Sequence, residues 1–277
     1  MTATSLVFSE RMAVLAKTHA NHPALIDRDC PTTFAALHQQ TLQLASGMAA
    51  IGIKAHDRVA VWLPNCTAWV QTFLACAHLG ATVLAVNTRF RSQEVADIIG
   101  RGKADWLVLW PDFKGIAFAD MLADIPQEVL ARLRGVLAIG EPRSAAMTAI
   151  AERGHALHAF SDLLQSTHPV PQAFGQAPAL CFTTSGTTSL PKFVVHNQHS
   201  LIVHADSMQQ AFHYDETSRI LASAPFCGAF GFSTLTGGLA TGCTVVCEPV
   251  SDTHSTLEQI RKHQVTHTYA NNESLLK

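Results

Sequence analysis

Apolar residues in this chain come in short unbroken blocks separated by longer stretches of helical spacing. Blocks at residues 24–26, 59–63, 82–86 and 105–110 predict strands. Between them the spacing predicts helices over 6–20, 34–51 and 65–79, and a short one opening at Ser92. Thr33, Asn65 and Ser92 are placed to cap these helices, and Gly52 and Gly80 to end them. The strand blocks are apolar throughout instead of alternating, which is the mark of a parallel sheet covered on both faces.

Residues 111–178 are less regular. Helical pieces are expected at 118–122, 127–133 and 145–152, with a strand at 136–139. The stretch 168–178 is punctuated by Pro169, Pro171 and Pro178 and reads as a connector. Alternation then resumes. Strands are expected at 179–182, 193–195, 220–222, 243–247 and 265–270, and helices at 197–212, up to 240, and at 253–263. The fold class is α/β, mostly parallel sheet flanked by helices. The connector divides it into a first lobe, 1–172, and a second, 173–277, whose last strand leads into an unfinished helix.

Composition narrows the function. Of 277 residues, 48% are apolar and 14% charged, which supports a large core and not a disordered chain. A formal net charge of -2 without a Lys/Arg cluster excludes a nucleic-acid footprint. The longest apolar run is too short to span a bilayer, and residues 1–10 lack a signal-peptide pattern, so a cytoplasmic location is expected. The seven cysteines form no CxxC pair and read as reduced, mostly buried thiols. Fifteen histidines invite metal readings, but His196, His199 and His204 flank the loop exit, and His263 and His267, four apart, span a helix end and a strand start; all read as structural or solvated. Arg89 and Arg91 read as a solvated loop, and Trp62, Trp106 and Trp110 as core.

One stretch carries chemistry. Thr183-Thr184-Ser185-Gly186-Thr187-Thr188-Ser189-Leu190-Pro191-Lys192 lies between two apolar blocks. Its hydroxyls compete for backbone hydrogen bonds and favour a loop. Gly186 permits close approach of the backbone to a ligand, and Lys192 adds a positive charge. A donor-rich backbone with an ammonium group suits a polyphosphate. Gly-Lys-Ser/Thr opening a helix, Gly-x-Ser-x-Gly and Gly-x-Gly-x-x-Gly are all missing, which sets aside Walker-type NTPases, α/β-hydrolases and dinucleotide-binding folds.

The run from Thr184 to Lys192 resembles the T-S-G-T-T-G-x-P-K signature of the adenylate-forming (AMP-binding, acyl-CoA synthetase) superfamily. Three further segments resemble that family in its order. They are Asp57-Arg58-Val59-Ala60-Val61-Trp62-Leu63-Pro64-Asn65, Leu79-Gly80-Ala81-Thr82-Val83-Leu84-Ala85-Val86-Asn87 and Ala224-Pro225-Phe226-Cys227-Gly228-Ala229-Phe230-Gly231. The resemblance implies most of the large N-terminal domain of such an enzyme, an α/β fold of two stacked, mostly parallel sheets flanked by helices. The activity it implies is ATP-dependent activation of a small carboxylic acid as an acyl-adenylate, followed by transfer to a thiol, coenzyme A or a carrier protein. ATP, Mg2+ and coenzyme A are the implied cofactors and co-substrates. By resemblance, Thr184, Ser185, Gly186, Thr187, Thr188, Ser189 and Lys192 bind the ATP phosphates. Phe226, Gly228, Phe230 and Gly231 border the acyl pocket.

Three residues depart from the family. Ser189 stands in place of Gly, Phe193 in place of a second Gly after the lysine, and Gly228 in place of a common His. Bulk at Phe193 either restricts the loop or packs into the next strand; Gly228 leaves room for an aryl or other bulky acid. The family's later motifs, including its Mg-binding Glu and C-terminal catalytic Lys, do not occur in these 277 residues, so no catalytic residue is assigned. The expectation is an acid–thiol ligase that is inactive as this chain alone. The alternative is a non-catalytic nucleotide- or partner-binding remnant.

Overall fold

A computed structural model describes residues 7–140, 145–170, 177–184, 191–250 and 252–269. In chain order the elements begin with α1 (Phe8–Thr18), β1 (Pro23–Asp27), β2 (Cys30–Thr33), α2 (Phe34–Ala50), β3 (Arg58–Trp62), α3 (Thr67–Leu79), β4 (Thr82–Ala85), α4 (Ser92–Gly102) and β5 (Trp106–Leu109). They continue with α5 (Phe118–Ala123), α6 (Gln127–Leu130), β6 (Gly135–Ala138), α7 (Ala145–Glu152), β7 (Ala156–Ala159) and α8 (Phe160–Leu163). The last group is β8 (Pro178–Thr184), β9 (Lys192–Asn197), α9 (Gln198–Phe212), β10 (Arg219–Ala222), α10 (Ala229–Leu239), β11 (Thr244–Cys247), α11 (Thr253–Lys262) and β12 (His267–Thr268).

The chain forms two compact units, each built on one sheet. One comprises Met1–Thr41, Pro64–Leu74 and His196–Lys277; the other comprises Leu42–Leu63 and Ala75–Val195. A single linear cut at 172/173 does not describe this partition, because β1 and β2 share a sheet with β10, β11 and β12.

The second unit holds a sheet of order β7-β6-β5-β3-β4-β8-β9. Its pairs from β7 through β8 are parallel, with Val59 opposite both Val83 and Trp106 and Leu84 opposite Cys181. Strands β4, β5 and β6 are buried along their whole length, as unbroken apolar blocks require. Asp57, just before β3, is buried and accepts hydrogen bonds from Lys54 N, Trp106 Nε1 and Arg134 Nη2. Arg58 Nη1 donates to Gly102 O (2.8 Å). The Asp-Arg pair of the second motif therefore holds the sheet together.

The first unit holds the order β12-β10-β11-β1-β2, parallel except for the β1–β2 hairpin. The apolar blocks predict no strand between residues 27 and 33. Arg28 (φ 49°) and Asp29 (φ 64°) both lie in the left-handed region, the backbone of a tight two-residue hairpin turn, and this returns Cys30–Thr33 as β2. Ile26, Leu221 and Val246 form the core under α11, with Ile260 and Val265 packed on it.

Other expectations shift at their edges. Gly52 (φ 100°) and Gly80 (φ 73°) adopt the left-handed backbone expected of helix ends. Ser92 is the first residue of α4 and not its cap; Arg91 N donates instead to Glu94 Oε2 (2.9 Å). β12 spans only His267–Thr268, shorter than the expected 265–270, and β7 was not foreseen. Among the described residues no helix is long and apolar enough to cross a membrane.

Candidate functional site

Ser185, Gly186, Thr187, Thr188 and Ser189 lie outside the described residues; the strands that carry their loop do not. Thr184 ends β8 and Lys192 opens β9, and both are exposed. β8 and β9 are neighbours in the sheet, so the loop's two ends leave and re-enter side by side. A buried stretch, Ala179–Phe182, anchors the entry.

The exit is anchored differently. Arg101 Nη2 donates to Pro191 O (2.8 Å), and the Arg101 guanidinium lies 5.0 Å from the centroid of the Phe193 ring. Asp97, one turn earlier on α4, takes both Arg101 Nε (2.5 Å) and Nη2 (2.6 Å) and fixes the guanidinium. Phe193 also packs on the core cluster of this unit. A Cβ on Gly102 would come within 3.5 Å of that ring. Bulk at Phe193 is thus absorbed by packing. Sequence reasoning missed Arg101; an arginine four residues after an aspartate on a helix gave only an ion-pair signal.

The Pro225–Gly231 turn belongs to the other unit and leads from β10 into α10. Phe226 is fully buried, its ring 5.5 Å from that of Trp69 in edge contact. Its side chain therefore sits in the aromatic core formed with Phe73 and Phe232. Phe230 is 53% exposed, 6.2 Å from Tyr269 between ring centroids. Gly228 precedes α10 with an ordinary backbone (φ -113°), and a Cβ there would meet only Pro225 O at 3.6 Å. A side chain fits at Gly228, so the glycine opens space without being required by the fold. Gly231 is the reverse: a Cβ would lie 2.3 Å from both Ala224 O and Pro225 O. Only a glycine lets α10 start this close to the turn that precedes it.

Asn65 is buried next to this turn. Its Nδ2 donates to Ala222 O and Ala224 O (both 2.8 Å), and its Oδ1 accepts from Phe226 N (2.8 Å). The expected N-cap role of Asn65 is not what the structure shows. Asp27 Oδ2 accepts from Thr67 N at the start of α3 instead (2.9 Å). The Pro-Asn end of the second motif was visible in the sequence, but its partner about 160 residues away was not.

Two titratable groups of this unit, Cys66 and Tyr214, have their pKa raised by burial. Burial pushes the Cys66 thiol up to about 12. Tyr214 is pushed well above the ordinary phenol range, by burial and then by its hydrogen bond with Tyr269. His204 Nε2 meets Ser233 Oγ (3.0 Å) and His263 Nε2 meets Asp29 Oδ1 (2.9 Å), which are structural roles. Among the described residues no group of three or more His, Cys, Asp or Glu side chains could hold a metal ion. The Mg2+ implied by resemblance has no ligand set among these residues.

Residues 12–275 match the family model of the AMP-binding enzymes, and the chain belongs to that family. It is 29% identical over 249 residues to a 3-[(3aS,4S,7aS)-7a-methyl-1,5-dioxo-octahydro-1H-inden-4-yl]propanoyl:CoA ligase of Mycobacterium tuberculosis, covering 89% of this chain and 47% of that protein. A mitochondrial medium-chain acyl-CoA ligase, ACSF2, of Danio rerio is 27% identical over 253 residues, covering 86% and 41%. The crystal structure of a long-chain-fatty-acid-CoA ligase, FadD1, from Archaeoglobus fulgidus superposes with a TM-score of 0.82 at 20% identity, covering 100% of this chain and 54% of that one. The last likeness bears on fold alone. The chain spans about half the length of the curated relatives it matches.

Proposed function

We propose that this chain supplies the nucleotide- and acid-binding half of an enzyme that activates a carboxylic acid with ATP. In that reaction a carboxylate oxygen attacks the α-phosphate of ATP, the bond to the β-phosphate bridge breaks, and acyl-adenylate and pyrophosphate result. A thiol, coenzyme A or a carrier, then attacks the acyl carbon and releases AMP. The observation that carries the reading is the run from Thr183 to Lys192, strung between two neighbouring strands of a chain of the AMP-binding family.

In this reading Thr184, Ser185, Gly186, Thr187, Thr188, Ser189 and Lys192 hold the β- and γ-phosphates, Lys192 supplying charge and the rest hydrogen-bond donors. The Pro225–Gly231 turn takes the acid, with Gly228 and Phe230 nearest the acyl group. The carboxylate is favoured near the N-terminus of α10, which has no side-chain cap and carries the positive end of the helix dipole. Gly228 leaves the volume of a missing side chain and favours a bulky acid.

Residues 1–277 alone are proposed to bind but not to turn over. Acid-dependent exchange of labelled pyrophosphate into ATP tests both halves of the claim, with acids from acetate to palmitate and with benzoate, salicylate and cinnamate. Absence of exchange together with measurable ATP binding fits the proposal. Robust exchange by this chain contradicts the proposed lack of turnover, and absence of ATP binding contradicts the nucleotide reading.

A further inference from the structure

Asn65 is far from the turn in sequence, yet its amide is spent on it. Both of its N–H bonds go to carbonyls at the end of β10 and the start of the turn, Ala222 O and Ala224 O. Its oxygen takes the N–H of Phe226. The side chain is 4% exposed, so these backbone groups have no water to replace it. Two acceptors and one donor arranged in this way are matched by a carboxamide alone. Aspartate offers no N–H to the carbonyls, and leucine offers nothing.

The carbonyl of Ala224 is also the one against which Gly231 packs, where a Cβ would stand 2.3 Å away. Ala224 O is therefore held between the Asn65 amide and the start of α10. This fixes where the chain leaves β10, and with it where Gly228 and Phe230 stand at the head of α10. The buried ring of Phe226 against Trp69 locks the middle of the turn.

We infer that Asn65 is a positioning residue for the acid: its carboxamide sets the shape of the Pro225–Gly231 turn and through it the choice of acyl group. The inference rests on the reading that this turn takes the acid. Asn65 touches neither nucleotide nor acid in this account; it acts through the backbone of residues 222–226.

The test separates acyl from nucleotide binding. Adenosine 5′-sulfamate and its N-acyl derivatives, carrying the same panel of acyl groups, are titrated calorimetrically into the wild-type chain and into Asn65→Asp and Asn65→Ala. The ratio of Kd for the bare sulfamate to Kd for an acyl derivative isolates the acyl contribution. In Asn65→Asp that ratio is expected to fall by about tenfold for the preferred acyl group, and the ranking of acyl groups to change. Kd for the bare sulfamate stays within about twofold of wild type. Equal weakening of bare and acylated ligands means general loosening and overturns the positioning role. An unchanged ratio and ranking overturn it as well. If no acyl derivative binds wild type more tightly than the bare sulfamate, the acid-site reading itself fails and the inference goes with it. Hydrogen exchange on the wild-type chain needs no variant. The Phe226 amide should be protected and should gain protection when the preferred acyl sulfamate binds; no gain counts against the role.

Discussion

The guanidinium of Arg101 lies 5.0 Å from the centre of the Phe193 ring while its Nη2 donates to Pro191 O. One side chain on α4 thereby grips both residues that flank Lys192. The lysine's starting position depends on that grip, although Lys192 itself is exposed. Arg101→Ala is expected to weaken ATP binding by about threefold, a size set by an exposed cation–π contact plus one hydrogen bond. Arg101→Lys should recover little, because an ammonium cannot keep the Asp97 fork and the stack together. Calorimetry of ATP binding reads the effect; unchanged affinity in Arg101→Ala would remove the clamp from the account.

Gly231→Ala tests the close approach at α10. A Cβ 2.3 Å from two carbonyl oxygens forces backbone movement, because neither partner is a flexible side-chain end. The expected loss is about 2–3 kcal/mol of unfolding free energy, in the range of overpacked sites. Gly228→Ala, with only a 3.6 Å contact to accommodate, should be nearly neutral. Urea unfolding of the two variants checks the contrast, and equal stabilities would contradict it.

Thiol accessibility tests the core directly. Cys30 is exposed, while Cys66, Cys76, Cys181, Cys227, Cys243 and Cys247 are buried. Burial also pushes Cys66 up to about 12 and Cys243 to about 11, so the reactive thiolate is scarce at both. Iodoacetamide at mildly alkaline pH should label Cys30 alone in the native chain and all seven cysteines after denaturation. Peptide mass spectrometry reads this. Fast native labelling of Cys66 would contradict the described packing of unit one.

His22 makes stability pH-dependent. Burial, and then the positive neighbours His19 and Arg219, lower its pKa below the ordinary 6.5, with Glu216 opposing. The ring stacks on Phe34 at a centroid distance of 6.3 Å, and Nε2 meets Thr244 Oγ1 at 3.2 Å. The unfolded chain therefore takes up this proton first. Its stabilising contribution is complete above pH 6.5 and is lost as pH falls from there through the lower folded value. The wild-type-minus-His22→Phe difference in unfolding free energy should decline on acidification through that window. A difference independent of pH would refute the shift.

Much of the fold was legible because a buried parallel strand leaves an unbroken apolar block. Residues 59–63, 82–86 and 105–110 each became such a strand, paired in one sheet. β2 was not legible: Cys30-Pro31-Thr32-Thr33 is an edge strand with no buried residue, so nothing in its composition marks it. Its existence is set by Arg28 and Asp29 entering a backbone region that ordinary propensities discount. In the candidate site the hydroxyl run is proposed from its residue types and the role of the Pro225–Gly231 segment from the family resemblance. Asn65 could not, because its three hydrogen bonds join segments about 160 residues apart and local spacing pointed to a cap. Phe226 resembled a pocket residue by position, yet Trp69 on another helix draws its ring into the core.

The loop between β8 and β9 is proposed to grip the phosphates of ATP. Isothermal titration of residues 1–277 with ATP, pyrophosphate and adenosine, repeated on Lys192→Ala, tests it most directly. ATP and pyrophosphate are expected to bind and compete. Lys192→Ala is expected to weaken both by about tenfold, the scale of one charge-assisted phosphate contact, with adenosine binding and thermal unfolding unchanged. Equal affinities for ATP and pyrophosphate in wild type and Lys192→Ala would contradict it.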